Sequence, residues 1–168
     1  MHANNRPASG GESSRSQERI REDKAEAWHG LLQVQALVIA EMDRQMAHRH
    51  DLRVREFDVL ITLFNAPGGR LRMSDLAARV LLSASGLSRL VDRLERKGLI
   101  AREADADDAR SVRTRLTPAG LQALDEARQT HDAVIRARMT DHLTAAEARE
   151  LRGLWDRILA AVPPEARG

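Results

Sequence analysis

Between Leu99 and Leu116 the apolar residues of this chain alternate with polar ones, while from Ile20 to Val162 nearly everywhere else they recur at three- and four-residue spacing. That pattern confines the chain to a mainly α fold carrying one small β-hairpin. With 168 residues it is long enough to bury a core without staples, and it has none to offer, because cysteine is absent. No apolar run approaches the roughly 18 residues of a membrane span, and the start "MHANNRPASGGESSRSQE" lacks the apolar centre of a secretory signal. A soluble cytoplasmic protein is expected.

Residues 1–18 are rich in Ser, Gly, Asn and charge and are expected to be a disordered tail. Residues 19–168 then form a single domain. A long helix is predicted over 20–48, where Trp28, Leu31, Leu32, Leu37, Val38, Ile39, Met42 and Met46 share helical spacing, and a shorter one over Val54 to Asn65, stopped by "APGG". A short strand, Arg70 to Met73, leads to "DLAARVL", a two-turn helix with Ser74 as its expected N-cap. After a turn near Leu82 and Ser83, Leu87, Leu90, Val91 and Leu94 mark one face of a helix closed by Gly98, completing a helix-turn-helix. The strands "LIARE" and "SVRTRL" follow, with Val112, Thr114 and Leu116 on a covered face and Ser111, Arg113 and Arg115 on a basic one. Thr117-Pro118 caps the next helix, and "TAAE" from Thr144 to Glu147 is a capping box for the last one, which ends at Pro163.

The formal net charge of +2 is unevenly spread: residues 1–69 carry −1, residues 70–115 carry +4 and residues 117–168 carry −1. Ten of the eleven cations in the central segment are Arg, the side chain whose planar fork suits phosphates and guanine edges, so a polyanion is the expected partner. On a helical wheel Ser85, Arg89, Asp92, Arg93 and Arg96 point away from the apolar stripe. A helix entering the DNA major groove needs small side chains at its N-terminal end, hydroxyls and amides for phosphates, and an Arg one turn in for base edges. Ser83, Ser85, Gly86, Ser88 and Arg89 supply each of these, with Arg93 one turn further on.

The stretch "RMSDLAARVLLSASGLSRLVDRLERKGLIAREADADDARSVRTRLTPAG" resembles the MarR-type winged helix-turn-helix transcription regulators, and the likeness runs from about Trp28 to Leu159. The family's "D-x-R" wing pair falls on Asp108 and Arg110, and its "LT-x-x-G" on Leu116, Thr117 and Gly120. The resemblance implies a winged helix-turn-helix over 53–116 between dimerisation helices over 20–48 and 118–162. It further implies a homodimer on a palindromic double-stranded DNA operator, with Arg110 at the minor groove and Asp108 orienting the wing. A repressor released by a small phenolic or aromatic effector is then expected, with Trp28, His29 and His131 as pocket residues. Ala106, Ala109 and Thr114 depart from the family's usual Pro, Arg and Val, the first two leaving the wing tip less rigid and less basic.

Rival chemistries find little support. His48 and His50 sit at the expected end of a helix, where they complement its dipole, and Asp105, Asp107 and Asp108 lack the later Gly and Glu of a calcium loop. No metal or other cofactor is expected. GxSxG, Walker and HExxH motifs are all missing, so no enzyme is expected either. A helical homodimeric interaction protein without DNA would use the same terminal helices but would not need a basic hairpin.

Overall fold

Helices fill the stretches marked by three- and four-residue spacing, and a small antiparallel sheet fills the rest. The computed structural model describes residues 10–80, 82–104 and 112–163, with side chains from Gln17 onward except that of Ala84. In chain order the elements are α1 (Gly10–His50), α2 (Val54–Phe64), β1 (Arg70–Arg72), α3 (Met73–Arg79), α4 (Ala84–Arg96), β2 (Ile100–Ala104), β3 (Val112–Leu116), α5 (Pro118–Arg138) and α6 (Ala145–Ala161). Short 3-10 turns occupy Pro67–Gly69 and Thr140–His142.

Helix α1 begins at Gly10, ten residues before the apolar spacing does, which corrects the expectation of an unstructured tail to residue 18. Once a helix is nucleated downstream, each added residue gains a backbone bond, and the Ser, Glu, Arg and Gln preceding Ile20 include no proline to stop it. Residues up to Leu37 form a unit of their own, in which Trp28, Leu31, Leu32, Val34 and Leu37 are all exposed.

The second unit, Val38 onward, contains the core. Met42 and Met46 of α1, Phe57, Val59, Leu60 and Leu63 of α2, Leu76 of α3, and Leu124, Ala127 and Val134 of α5 form one buried cluster with the stripe of α4, Leu87, Leu90, Val91 and Leu94. Each such side chain contributes roughly 1.5–3 kcal/mol when taken from water, so the four residues of the stripe fix which face of α4 turns inward. Asp43 of α1 holds the start of α2, its Oδ1 accepting from the Val54 N–H at 2.9 Å and its Oδ2 from Arg53 Nη1 at 3.1 Å.

The sheet has the order β1-β3-β2, with Leu71 opposite Thr114 and Ile100 opposite Leu116. Because β1 runs straight into α3, that helix starts at Met73, and Arg72 rather than Ser74 occupies the cap position, without a side-chain cap bond. Ser74 Oγ instead lies 3.5 Å from Asp75 Oδ1. On the hairpin Thr114 and Leu116 are buried as expected, but Val112, paired with Ala104 at the far end of the strands, is exposed because it lies beyond the core. The hydroxyl of the fully buried Thr114 is satisfied by donating to Met73 Sδ at 3.3 Å, which accounts for a threonine where an apolar residue is usual.

The "LT-x-x-G" run forms a latch. Thr117 Oγ1 donates to the Gly98 carbonyl at 2.6 Å and accepts from the Gly120 N–H at 3.0 Å, while the Thr117 N–H donates to the Leu99 carbonyl at 3.1 Å. The end of α4 and the start of α5 are thereby tied. Helix α6 opens with the expected capping box of Thr144 and Glu147, and has no buried residue.

Candidate nucleic-acid interface

Helix α4 meets the surface at its N-terminal end because its stripe is committed to the core. Ser83 stands at the N-cap and accepts from the Gly86 N–H at 3.2 Å, Gly98 adopts φ 71° after the last turn, and no acidic residue occupies the first turn. Ser85, Ser88 and Arg89 are exposed beside these amides, and Arg93 and Arg96 follow on the same side. The positive end of the helix dipole, free N–H groups and hydroxyls together favour an anion such as phosphate. A Cβ at Gly86 would lie 3.1 Å from Ser83 Oγ, the cap oxygen.

Charge around the helix is sorted into paired and unpaired groups. Arg102 of β2 contacts Asp92 at 2.5 Å and Glu95 at 2.8 Å, Arg115 contacts Glu103 at 3.0 Å, and Arg70 contacts the same carboxylate at 3.5 Å. Arg93 Nε lies 3.7 Å from Glu56 Oε1. By contrast, Arg79 at the end of α3 and Arg89 make no ion pair among the described residues and remain exposed. Arg113 is on β3, half-buried, opposite Arg72 and Glu103. Asp108 and Arg110 lie outside the described residues.

Sequence reasoning singled out neither Arg79 nor Glu56 and Arg102. Arg79 carries a usable signal, a cation at the last turn of the helix preceding the recognition helix. Glu56 and Arg102 carry none in one sequence, because their roles depend on partners elsewhere in the chain.

The three expected effector residues differ in setting. Trp28 and His29 are exposed on the first unit. His131 stacks on Phe57 of α2 with centroids 4.9 Å apart, and its Nδ1 lies 3.0 Å from Asp132 Oδ1. A separate polar cleft of about 540 Å³ is bounded by Arg49, His50, Thr130 and Arg136, with His50 Nε2 2.8 Å from Thr130 Oγ1; His131 is not on its wall. Among the described residues no cluster of three or more His, Asp or Glu is placed to hold a metal, and no helix is long and apolar enough to cross a membrane.

Comparison with known proteins gives a consistent picture. The MarR family profile matches residues 50–111. The multiple antibiotic resistance protein MarR of Salmonella typhimurium is 30% identical over 109 residues, covering 65% of this chain and 74% of that one. YkoM, an uncharacterised HTH-type transcriptional regulator of Bacillus subtilis, is 31% identical over 93 residues. The chain spans about 60% of the length of YkoM and of a putative regulatory protein for the hcr operon of Thauera aromatica. Among solved structures, Sco3205, a MarR family regulator from Streptomyces coelicolor in complex with DNA, superposes with a TM-score of 0.76 at 29% identity, over 86% of this chain and 91% of that one. With the helix-turn-helix, the three-stranded sheet and the Thr117–Gly120 latch in place, this chain belongs to the MarR family.

Proposed function

We propose that the protein is a homodimeric, sequence-specific DNA-binding transcriptional regulator acting as a repressor in the cytoplasm, and that it performs no catalysis. The observation that carries this reading is α4: its apolar stripe is wholly buried while Ser85, Ser88 and the unpaired Arg89 are exposed at an N-terminal end free of acidic side chains. In the major groove Arg89 would reach a guanine edge with both arms of its guanidinium, while Ser83, Ser85, Ser88 and the first-turn amides meet phosphate. Gly86 permits close approach. Arg79, Arg93 and Arg113 add backbone contacts, and Arg110, oriented by Asp108, enters the minor groove. That a relative of the same fold was solved with DNA supports this assignment.

A second copy supplies what the terminal helices lack. Leu154, Ile158 and Leu159 of α6 are exposed, as are Trp28, Leu31, Leu32, Val34 and Leu37 of α1, more large apolar surface than single scattered residues would leave. Two-fold symmetry then calls for a palindromic operator. A phenolic or aromatic effector would release DNA by binding the DNA-incompetent arrangement better, with Trp28, His29 and His131 each a candidate contact rather than one shared pocket.

Titration of the protein against its own upstream intergenic DNA at two salt concentrations tests the function. Tight binding that prefers this DNA over scrambled sequence and weakens steeply with salt is expected. Equal affinity for scrambled DNA, or none for either, contradicts it.

A further inference from the structure

From Asp92 to Lys97, the C-cap of α4, five of six residues are charged, and the fold sorts four of them by sign. Both anions, Asp92 and Glu95, face Arg102 of β2, whose Nη2 lies 2.5 Å from Asp92 Oδ1, whose Nη1 lies 2.8 Å from Glu95 Oε2, and whose backbone N–H donates to Glu95 Oε1 at 3.4 Å. Two cations, Arg93 and Lys97, face Glu56 of α2, at 3.7 Å from Oε1 and 3.4 Å from Oε2. The fifth, Arg96, donates from Nε to the Asp92 carbonyl at 3.3 Å. Lys97 also reaches back to the Asp51 carbonyl and to its carboxylate at 3.4 Å, where the chain turns between α1 and α2 with φ 51°.

Glu56 is the unusual member. Its side chain is fully buried, its Oε2 accepts from the Arg53 N–H at 2.7 Å, and its Oε1 accepts no hydrogen bond. The Arg53 bond is the capping-box contact at the start of α2 and serves that helix alone. It does not call for the two cations of α4 and its C-cap, whereas a buried charge that demands two such partners specifies one arrangement of the helices that carry them. Arg102 grips α4 from the opposite chemical side, with charge-assisted bonds to two different turns.

We propose that Glu56 and Arg102 are positioning residues for DNA reading: a two-sided ion-pair bracket that fixes the rotation and pitch of α4, and through them base discrimination. The proposal rests on α4 being the helix that reads DNA. Neither side chain belongs to the set of groups facing the groove; both act through residues of α4. Rotating a helix by about 10° moves a side-chain tip some 6 Å from its axis by roughly 1 Å. That displacement breaks a bidentate base contact, whose bonds hold only over about 2.7–3.2 Å, yet long flexible Arg and Lys side chains still find phosphate. Loosening the bracket therefore removes discrimination before it removes binding.

The test uses full-length Glu56→Gln and Arg102→Gln, with helix content checked by circular dichroism, and measures affinity for the best operator and for scrambled DNA of equal length at one salt concentration. Glu56→Gln deletes a negative charge, so its affinity for scrambled DNA should hold or rise. Arg102→Gln leaves Asp92 and Glu95 uncompensated, so its affinity for scrambled DNA should fall. Both should lower the operator-to-scrambled ratio about tenfold. A purely electrostatic role shifts the two affinities together, and a purely structural one lowers the active fraction, so either leaves the ratio unchanged. An unchanged ratio in the two variants overturns the proposal. If Glu56→Gln fails to fold, Lys97→Met, which keeps the Arg53 and Arg93 contacts of Glu56, should lower the ratio about threefold, and no change there is equally contrary. Wild-type protein with no preference for operator would refute the regulator reading itself, and that result is visible before any variant is made.

Discussion

Gly120 shows how one residue can decide whether two elements meet. A Cβ at this position would lie 1.9 Å from the Leu99 carbonyl oxygen, a backbone atom that cannot turn aside, so the start of α5 rests on the end of α4 only if residue 120 has no side chain. Gly120→Ala is expected to destabilise the protein by about 2–4 kcal/mol, read as a lower urea midpoint; a shift below 1 kcal/mol would mean that the latch is loose. Asp58 offers a pH-dependent case. Burial raises its carboxyl above the usual carboxylate range, with Arg55 and His131 opposing. Since the folded state then holds the proton more tightly, ionisation subtracts stability above the folded-state pKa, and the loss vanishes as pH falls below the ordinary carboxylate value. Partial exposure screens the effect. Asp58→Asn should melt roughly 1–2 °C above wild type at pH 7, with the gap closing by about pH 3. The caps Thr117 and Thr144 are legible in sequence because donor and acceptor lie three residues apart. Glu56 and Thr114 are not: the partners Lys97 and Met73 are each 41 residues away.

At the scale of elements, apolar spacing located every helix core, and the errors fell at ends and edges where burial no longer decides. Helix α1 started early because residues 12–19 hold no Gly or Pro to stop propagation, which runs on to the glycines at 10 and 11; α3 took Arg72 instead of Ser74 at its cap because a strand feeds it directly; Val112 left the core because the hairpin outruns it. At the start of α4 Ser83 carries the cap bond as well as a proposed phosphate contact, whereas Ser85 has only the contact. Ser83→Ala removes the cap bond and should cost about 1 kcal/mol in thermal or urea denaturation. Ser85→Ala removes an exposed hydroxyl with no cap role and should leave stability within about 0.5 kcal/mol while weakening operator binding severalfold. Equal effects of both changes on stability and on DNA would mean that the serines serve only the helix.

For the whole molecule the central element is α6, a 17-residue capped helix with no buried side chain in the single chain. Its sequence pattern announced an apolar face, but no pattern within one chain can name what covers it. Ile158→Glu places a charge on that face and should turn a dimer at micromolar concentration into a monomer by sedimentation, with operator affinity falling at least tenfold because one half-site is lost. A dimer that persists unchanged would place the contact elsewhere. Two copies of α4 should then span half-sites about one DNA turn apart, on the order of 10 base pairs.

The claim that α4 reads bases through Arg89 is tested most directly by measuring Arg89→Ala against a panel of operators altered one base pair at a time. Loss of a bidentate guanine contact predicts a cost of about 1–3 kcal/mol on the best operator and little or none on operators already changed at the contacted pair, so that discrimination at that one position disappears. A uniform loss across the panel, with discrimination at every position retained, would make Arg89 a phosphate contact and contradict the assignment of α4 as the reader.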